Sequence, residues 1–142
     1  MPYLFGIAIA LATGALASTS RLDRERSFYA TTVIVVASYY LLFAAIDGSM
    51  RTALLELLLT SAFIVAAIAG FRTNLWIVAS ALAAHGVLDA FHAGIVVNRG
   101  VPVWWPAFCL AYDVTAAFIV ARLIVRARAG QHTFAAGIGA GR

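Results

Sequence analysis

Five long apolar runs, separated by short polar breaks, leave this chain few ways to fold. Runs of roughly 17–25 apolar residues are long enough to cross a bilayer as helices. The expected spans are residues 2–18, 28–46, 52–70, 75–97 and 101–125. The β-branched stretch Thr31-Thr32-Val33-Ile34-Val35-Val36 would by itself suggest a strand. The unbroken apolar length around it argues for a helix instead. Only 11% of residues are charged and 63% are hydrophobic, whereas soluble domains carry roughly 25% charged residues. The fold class expected is an all-α polytopic membrane bundle of five transmembrane helices. At 142 residues there is length for one bundle and no second domain.

The breaks carry recognisable end signals. Arg21 to Arg26 holds three arginines with Asp23 and Glu25 between them, which reads as a solvated loop. Asp47-Gly48-Ser49 is a turn signal, and Asn74 is placed to cap the fourth helix. Asn98-Arg99-Gly100 ends the fourth span. Trp104 and Trp105 fit an aromatic belt, while Pro102 and Pro106 fall in or near the first turns of the fifth span. Arg122, near the other end of that span, can snorkel. Residues 126–142, rich in glycine and alanine, are expected as a loose cytoplasmic tail, with His132 exposed and without a role. Ala15-Leu16-Ala17 resembles a signal-peptidase site, but no basic residue precedes the first run, which favours a retained helix.

All ten basic residues are arginine and the net charge is +4. They sit at the ends of the apolar runs and match no nucleic-acid motif, so their meaning is orientation. With five spans, Arg21, Arg24, Arg26, Arg72, Arg122, Arg126, Arg128 and Arg142 share one side, and only Arg51 and Arg99 lie on the other. The positive-inside rule then puts the C-terminus in the cytoplasm and the N-terminus outside, in a bacterial inner membrane. The partners expected are the lipid bilayer and a second copy or larger membrane complex, with no nucleic acid. Cys109 is the single cysteine, so no intrachain disulfide can form.

Against this apolar background one stretch stands out, from Ala84 to Gly94. On a helix His85, Asp89 and His92 stand at i, i+4 and i+7, within roughly 60° of arc. Ionisable groups in a membrane span are costly and mark functional sites. With the arginine-derived topology, His92 and Glu56 both lie roughly 6 Å below the outer boundary, Asp89, Cys109 and Tyr40 about one turn deeper, and His85 and Asp113 near mid-membrane. Cys109 and Asp113 share a face one turn apart. Gly86, Ala90 and Gly94 form a small-residue stripe that would let a neighbouring helix approach.

Several chemistries would use such a set. Imidazole and carboxylate are ordinary ligands for divalent metals such as zinc or iron. His85, Asp89 and His92 with Glu56 from a neighbouring helix supply the ligands, and Asp113, Cys109 and Tyr40 lie behind them. A metal-bound water with Glu56 or Asp89 as general base could hydrolyse a lipid-like substrate. A proton path is a further reading, but no acidic residue continues it through the cytoplasmic half. In the plainest reading the same groups form a buried hydrogen-bond network in a structural or accessory subunit. Gly86, Ala90 and Gly94 then only pack.

The pattern resembles a family of small bacterial membrane proteins of unknown function, over nearly the whole chain to about Val125. The resemblance rests on the arginine-rich segment Arg21-Leu22-Asp23-Arg24-Glu25-Arg26, the glutamate of Leu55-Glu56-Leu57, His85-x3-Asp89-x2-His92, Gly100-Val101-Pro102 and Cys109-x3-Asp113. The family has a second histidine where this chain has Ala93, and a cysteine where it has Tyr112. The resemblance therefore implies His85, Asp89, His92 and Glu56 as the core of a site, without cysteine-pair chemistry. It implies no reaction.

Overall fold

The computed structural model describes the backbone of residues 1–139 and the side chains as far as Ala129. His132 and Arg142 therefore lie outside the described side chains. Five α-helices make up the bundle: α1 Pro2–Thr19, α2 Arg26–Asp47, α3 Met50–Arg72, α4 Leu75–Ile95 and α5 Trp105–Gly139. All five are long and apolar enough to cross a membrane. At about 1.5 Å per residue the 18 residues of α1 reach about 27 Å, close to the thickness of the hydrocarbon core. Large apolar side chains cover the outside, among them Leu58, Val65, Phe91 and Phe118, each at least 60% exposed. Contiguous apolar surface of this kind is unfavourable in water and suits lipid.

Local chemistry fixes the helix ends. Gly48 adopts a left-handed conformation (φ 72°) that closes α2, its N–H donating to the Ala44 carbonyl. The next residue, Ser49, caps α3 by accepting from the Thr52 N–H at 3.3 Å. Two residues thus turn α2 into α3 as an antiparallel hairpin. Asn74 caps α4 as expected, accepting from the Trp76 N–H at 3.0 Å. A 3-10 turn, Leu22–Arg24, joins α1 to α2.

Two ends of the fourth and fifth spans differ from expectation. α4 stops at Ile95, because Val96 is extended and begins a non-helical strap through Trp104. α5 starts at Trp105 rather than near Val101. Val101 precedes Pro102, whose ring disfavours the helical region for the residue before it. At its other end the backbone of α5 stays helical to Gly139, through residues expected as a loose tail.

α1, first in the chain, packs on α5, the last; α5 packs on α4, α4 on α3 and more lightly on α2, and α2 on α3. Small residues set these distances. A Cβ on Gly6 would collide with the Phe108 carbonyl oxygen, so α1 and α5 touch through backbone. Gly86 does the same between α4 and α5, with the Leu110 carbonyl oxygen 3.3 Å and the Asp113 Cβ 3.4 Å from where its own Cβ would stand. Of the small-residue stripe, Gly86 alone works this way. Ala90 and Gly94 are exposed, and a Cβ on Gly94 would meet nothing within 4 Å. The half of the bundle nearest the arginines has an apolar core of Val33, Val78, Leu82 and Val120. The polar groups gather in the other half.

A buried histidine and carboxylate cluster

The antiparallel path brings four helix ends together: the last turns of α2, the first of α3, the last of α4 and the first of α5. Five ionisable side chains lie there, Glu56, His85, Asp89, His92 and Asp113, none more than 2% exposed. In an apolar interior such groups must satisfy one another. They do so as two neighbouring groups, not as a single four-residue set.

The deeper group centres on His85. Its Nδ1–H donates to Asp113 Oδ2 at 2.6 Å, and Asp89 Oδ2 lies 3.5 Å from the same nitrogen. An acceptor-only carboxylate opposite Nδ1 fixes the proton there. The Tyr40 hydroxyl donates to Asp89 Oδ1 at 2.6 Å. The Phe63 ring meets the His85 ring edge-on, with centroids 4.9 Å apart. Two buried oxygens, Asp89 Oδ2 and Asp113 Oδ1, have no hydrogen-bond donor. Unsatisfied carboxylate oxygens in a dry interior call for an explanation such as an ion or water.

The outer group centres on Glu56. His92 Nε2–H and Asn98 Nδ2–H both donate to its Oε1, each at 2.9 Å. The Tyr40 ring stacks on His92 with centroids 3.9 Å apart and planes at 20°. Tyr40 therefore touches both groups, by its ring on one side and its hydroxyl on the other. A cavity of about 330 Å³ opens over this outer group, with His92, Asn98, Arg99 and Pro102 on its walls.

His85, Asp89 and Asp113 offer ligand atoms that all lie within 4.8 Å of one another, and this group could hold a metal ion. Of the four ligands expected from sequence, His85 and Asp89 belong to it. His92 and Glu56 stand apart as a pair. The reason is helical rise: seven residues separate His85 from His92 by about 10 Å along α4, although they share a face. Asp113, expected behind the ligands as a carboxylate that orients an imidazole, is hydrogen-bonded to His85 and also belongs to this trio. Tyr40, also expected behind the ligands, is hydrogen-bonded to Asp89 through its hydroxyl. The two candidate bases are divided, Asp89 in the deeper group and Glu56 in the outer one.

Cys109 is free and buried, one turn before Asp113 on α5. It faces a separate cavity of about 450 Å³ that also touches Tyr39, Trp105 and Tyr112. Asn98 is the participant that sequence reasoning passed over, reading it only as a helix breaker. Its amide also donates to the Tyr40 carbonyl at 3.1 Å. The strap is further held by the Thr52 hydroxyl donating to the Val97 carbonyl, and by Gly100, where any Cβ would run into the Phe43 carbonyl. The available signal was a polar amide directly after a membrane helix.

The donor geometry can be compared with a metal's demands. Tetrahedral zinc with ligands at about 2.0–2.2 Å sets ligand atoms about 3.3 Å apart. The 3.5 Å between His85 Nδ1 and Asp89 Oδ2 is already near that edge. The 2.6 Å contact to Asp113 is a hydrogen bond and must lengthen by under about 1 Å, or Asp113 must present its unpartnered Oδ1. The residues fit a small divalent cation with one nitrogen and two oxygen donors. Comparison with family models, curated proteins and solved structures returns no match.

Proposed function

We propose that this chain is a multi-pass protein of a bacterial cytoplasmic membrane whose bundle holds a divalent metal ion on His85, Asp89 and Asp113. The observation that carries the reading is the pair of buried, unpartnered carboxylate oxygens on Asp89 and Asp113 beside the imidazole of His85. Without a cation, two carboxylates facing one imidazole in hydrocarbon leave negative charge uncompensated. One nitrogen and two oxygens suit zinc, manganese or iron, and leave a coordination position for water or substrate. The arginine asymmetry supports a cytoplasmic C-terminus, so that the cavity over His92 opens outward. His92, Glu56 and Asn98 then form the polar entry between that cavity and the metal. The apolar core in the arginine-rich half argues against a through-path for protons or ions.

The test is metal analysis of full-length protein without a polyhistidine tag, purified without chelators. About one divalent ion per chain is expected. His85→Ala and Asp113→Ala should abolish it, while His92→Ala should keep it. A specific observation favours the rival reading, a closed hydrogen-bond network in a structural subunit: the two 2.6 Å contacts, His85 to Asp113 and Tyr40 to Asp89. That reading prevails if the wild type neither carries metal nor gains thermal stability from added zinc, manganese or iron(II).

A further inference from the structure

At the opposite end of the bundle a third cavity, of about 290 Å³, lies between the loop after α1, the start of α4 and the later turns of α5. Its polar wall is the run Asp23-Arg24-Glu25-Arg26 together with Tyr29. The charges alternate in sign, yet among the described residues the ion pairs all involve histidines, so these four remain unpaired with one another. Arg26 is partly engaged, its Nη2–H donating to the Gly70 carbonyl at 3.4 Å. Tyr29 is only 6% exposed and its buried hydroxyl has no hydrogen-bond partner. The floor is apolar, formed by Leu75, Val120 and Leu123.

A buried hydroxyl without a partner costs stability unless something absent from the chain completes it. Here that tyrosine lines a cavity with two guanidinium groups, which recognise phosphate oxygens as charge-assisted donors. Two carboxylates stand beside them and would repel a plain anion, but they match an ammonium group. Tyr29 lies three residues inside α2, about 4.5 Å below the helix start, which is headgroup depth at the end of a membrane span. The apolar floor continues from there along α5 toward the hydrocarbon.

We propose that this cavity binds the headgroup of a phospholipid bearing a primary ammonium, a phosphoethanolamine lipid. Arg24, Arg26 and the Tyr29 hydroxyl hold its phosphate, Asp23 and Glu25 hold its ammonium, and an acyl chain lies on Leu75, Val120 and Leu123. The site is independent of the metal cluster at the other end.

The experiment is native mass spectrometry of the full chain in detergent, with phosphatidylethanolamine, phosphatidylglycerol and phosphatidylcholine supplied at equal concentration. Phosphatidylethanolamine should be retained about tenfold more than either competitor, the size of one charge-assisted hydrogen bond. Arg24→Gln should weaken its retention, and Glu25→Gln should narrow its advantage over phosphatidylglycerol. Tyr29→Phe should cut retention while leaving the lipid-free melting temperature unchanged or higher, because it removes an unpaired buried hydroxyl. Equal retention of the three lipids would overturn the proposal, as would a Tyr29→Phe variant that retains lipid like the wild type. Soluble phosphoethanolamine is the remaining arm: if it binds as tightly as the lipid, the cavity serves a free metabolite and the lipid assignment fails.

Discussion

Replacing Asp113 by asparagine separates the metal reading from the network reading with one atom. Asparagine has the same shape, so the Gly86 contact is undisturbed, and its carbonyl oxygen can still accept from His85 Nδ1–H. A charge-assisted bond of about 1.5–3 kcal/mol becomes a neutral one of about 0.5–1.5, so the metal-free protein should lose only about 1 kcal/mol. Metal binding should suffer far more, because a neutral amide replaces an anionic ligand. Changing a group that only hydrogen-bonds to a ligand already costs about 10–100-fold in affinity, so loss of a direct ligand should cost at least about 100-fold. At a metal concentration 100 times the wild-type Kd, the wild type gains about 2.7 kcal/mol from binding. A variant weakened 100-fold gains only about 0.4 kcal/mol at the same concentration. The assay is reversible unfolding in mixed detergent micelles, with and without metal. A loss of about 1 kcal/mol without metal that widens by about 2 kcal/mol with it is the expected pattern. If Asp113→Asn responds to metal as the wild type does, Asp113 is not a ligand and the trio is wrong.

Four further outcomes follow from the same geometry. His92→Ala should leave metal bound and Glu56 with Asn98 as its remaining donor, and Asn98→Ala should leave it with His92; each should cost about 1–3 kcal/mol of stability, as unfolding titrations of both variants would show. Metal affinity should fall in acid, where the imidazole and the two carboxylates take up protons that a bound cation must displace; titration calorimetry in buffers of different ionisation enthalpy should count released protons there and about none at higher pH, where the His85 proton only moves from Nδ1 to Nε2. Gly6→Val should destabilise by about 1–3 kcal/mol through the Phe108 carbonyl, while Gly94→Ala should be neutral or stabilising by up to about 1, as thermal unfolding would report. A C-terminal alkaline phosphatase fusion should be inactive and a C-terminal fluorescent protein bright; the reverse would turn the His92 cavity toward the cytoplasm.

Much of this protein is written in one dimension. Apolar length determines five helices, each long enough to cross a hydrocarbon core about 30 Å thick, where every backbone group must be paired. Gly48, Ser49 and Asn74 determine where helices stop and start, since a left-handed turn and a capping oxygen are local chemistry. The common face of His85, Asp89 and His92 follows from helical periodicity alone. So do the matching depths of His92 with Glu56 and of His85 with Asp113, but not which helices stand close enough for contact. His85 and His92 share a face but differ in height by about 10 Å, so each takes its partner from whichever helix passes at that height. For His92 that is Glu56 on α3, and for His85 it is Asp113 on α5, drawn close by the missing side chain of Gly86. The strap that carries Asn98 to Glu56 is likewise a product of where α4 ends and α5 begins. Which carboxylate meets which imidazole is a question of interhelical distance, and only the packed bundle sets that distance.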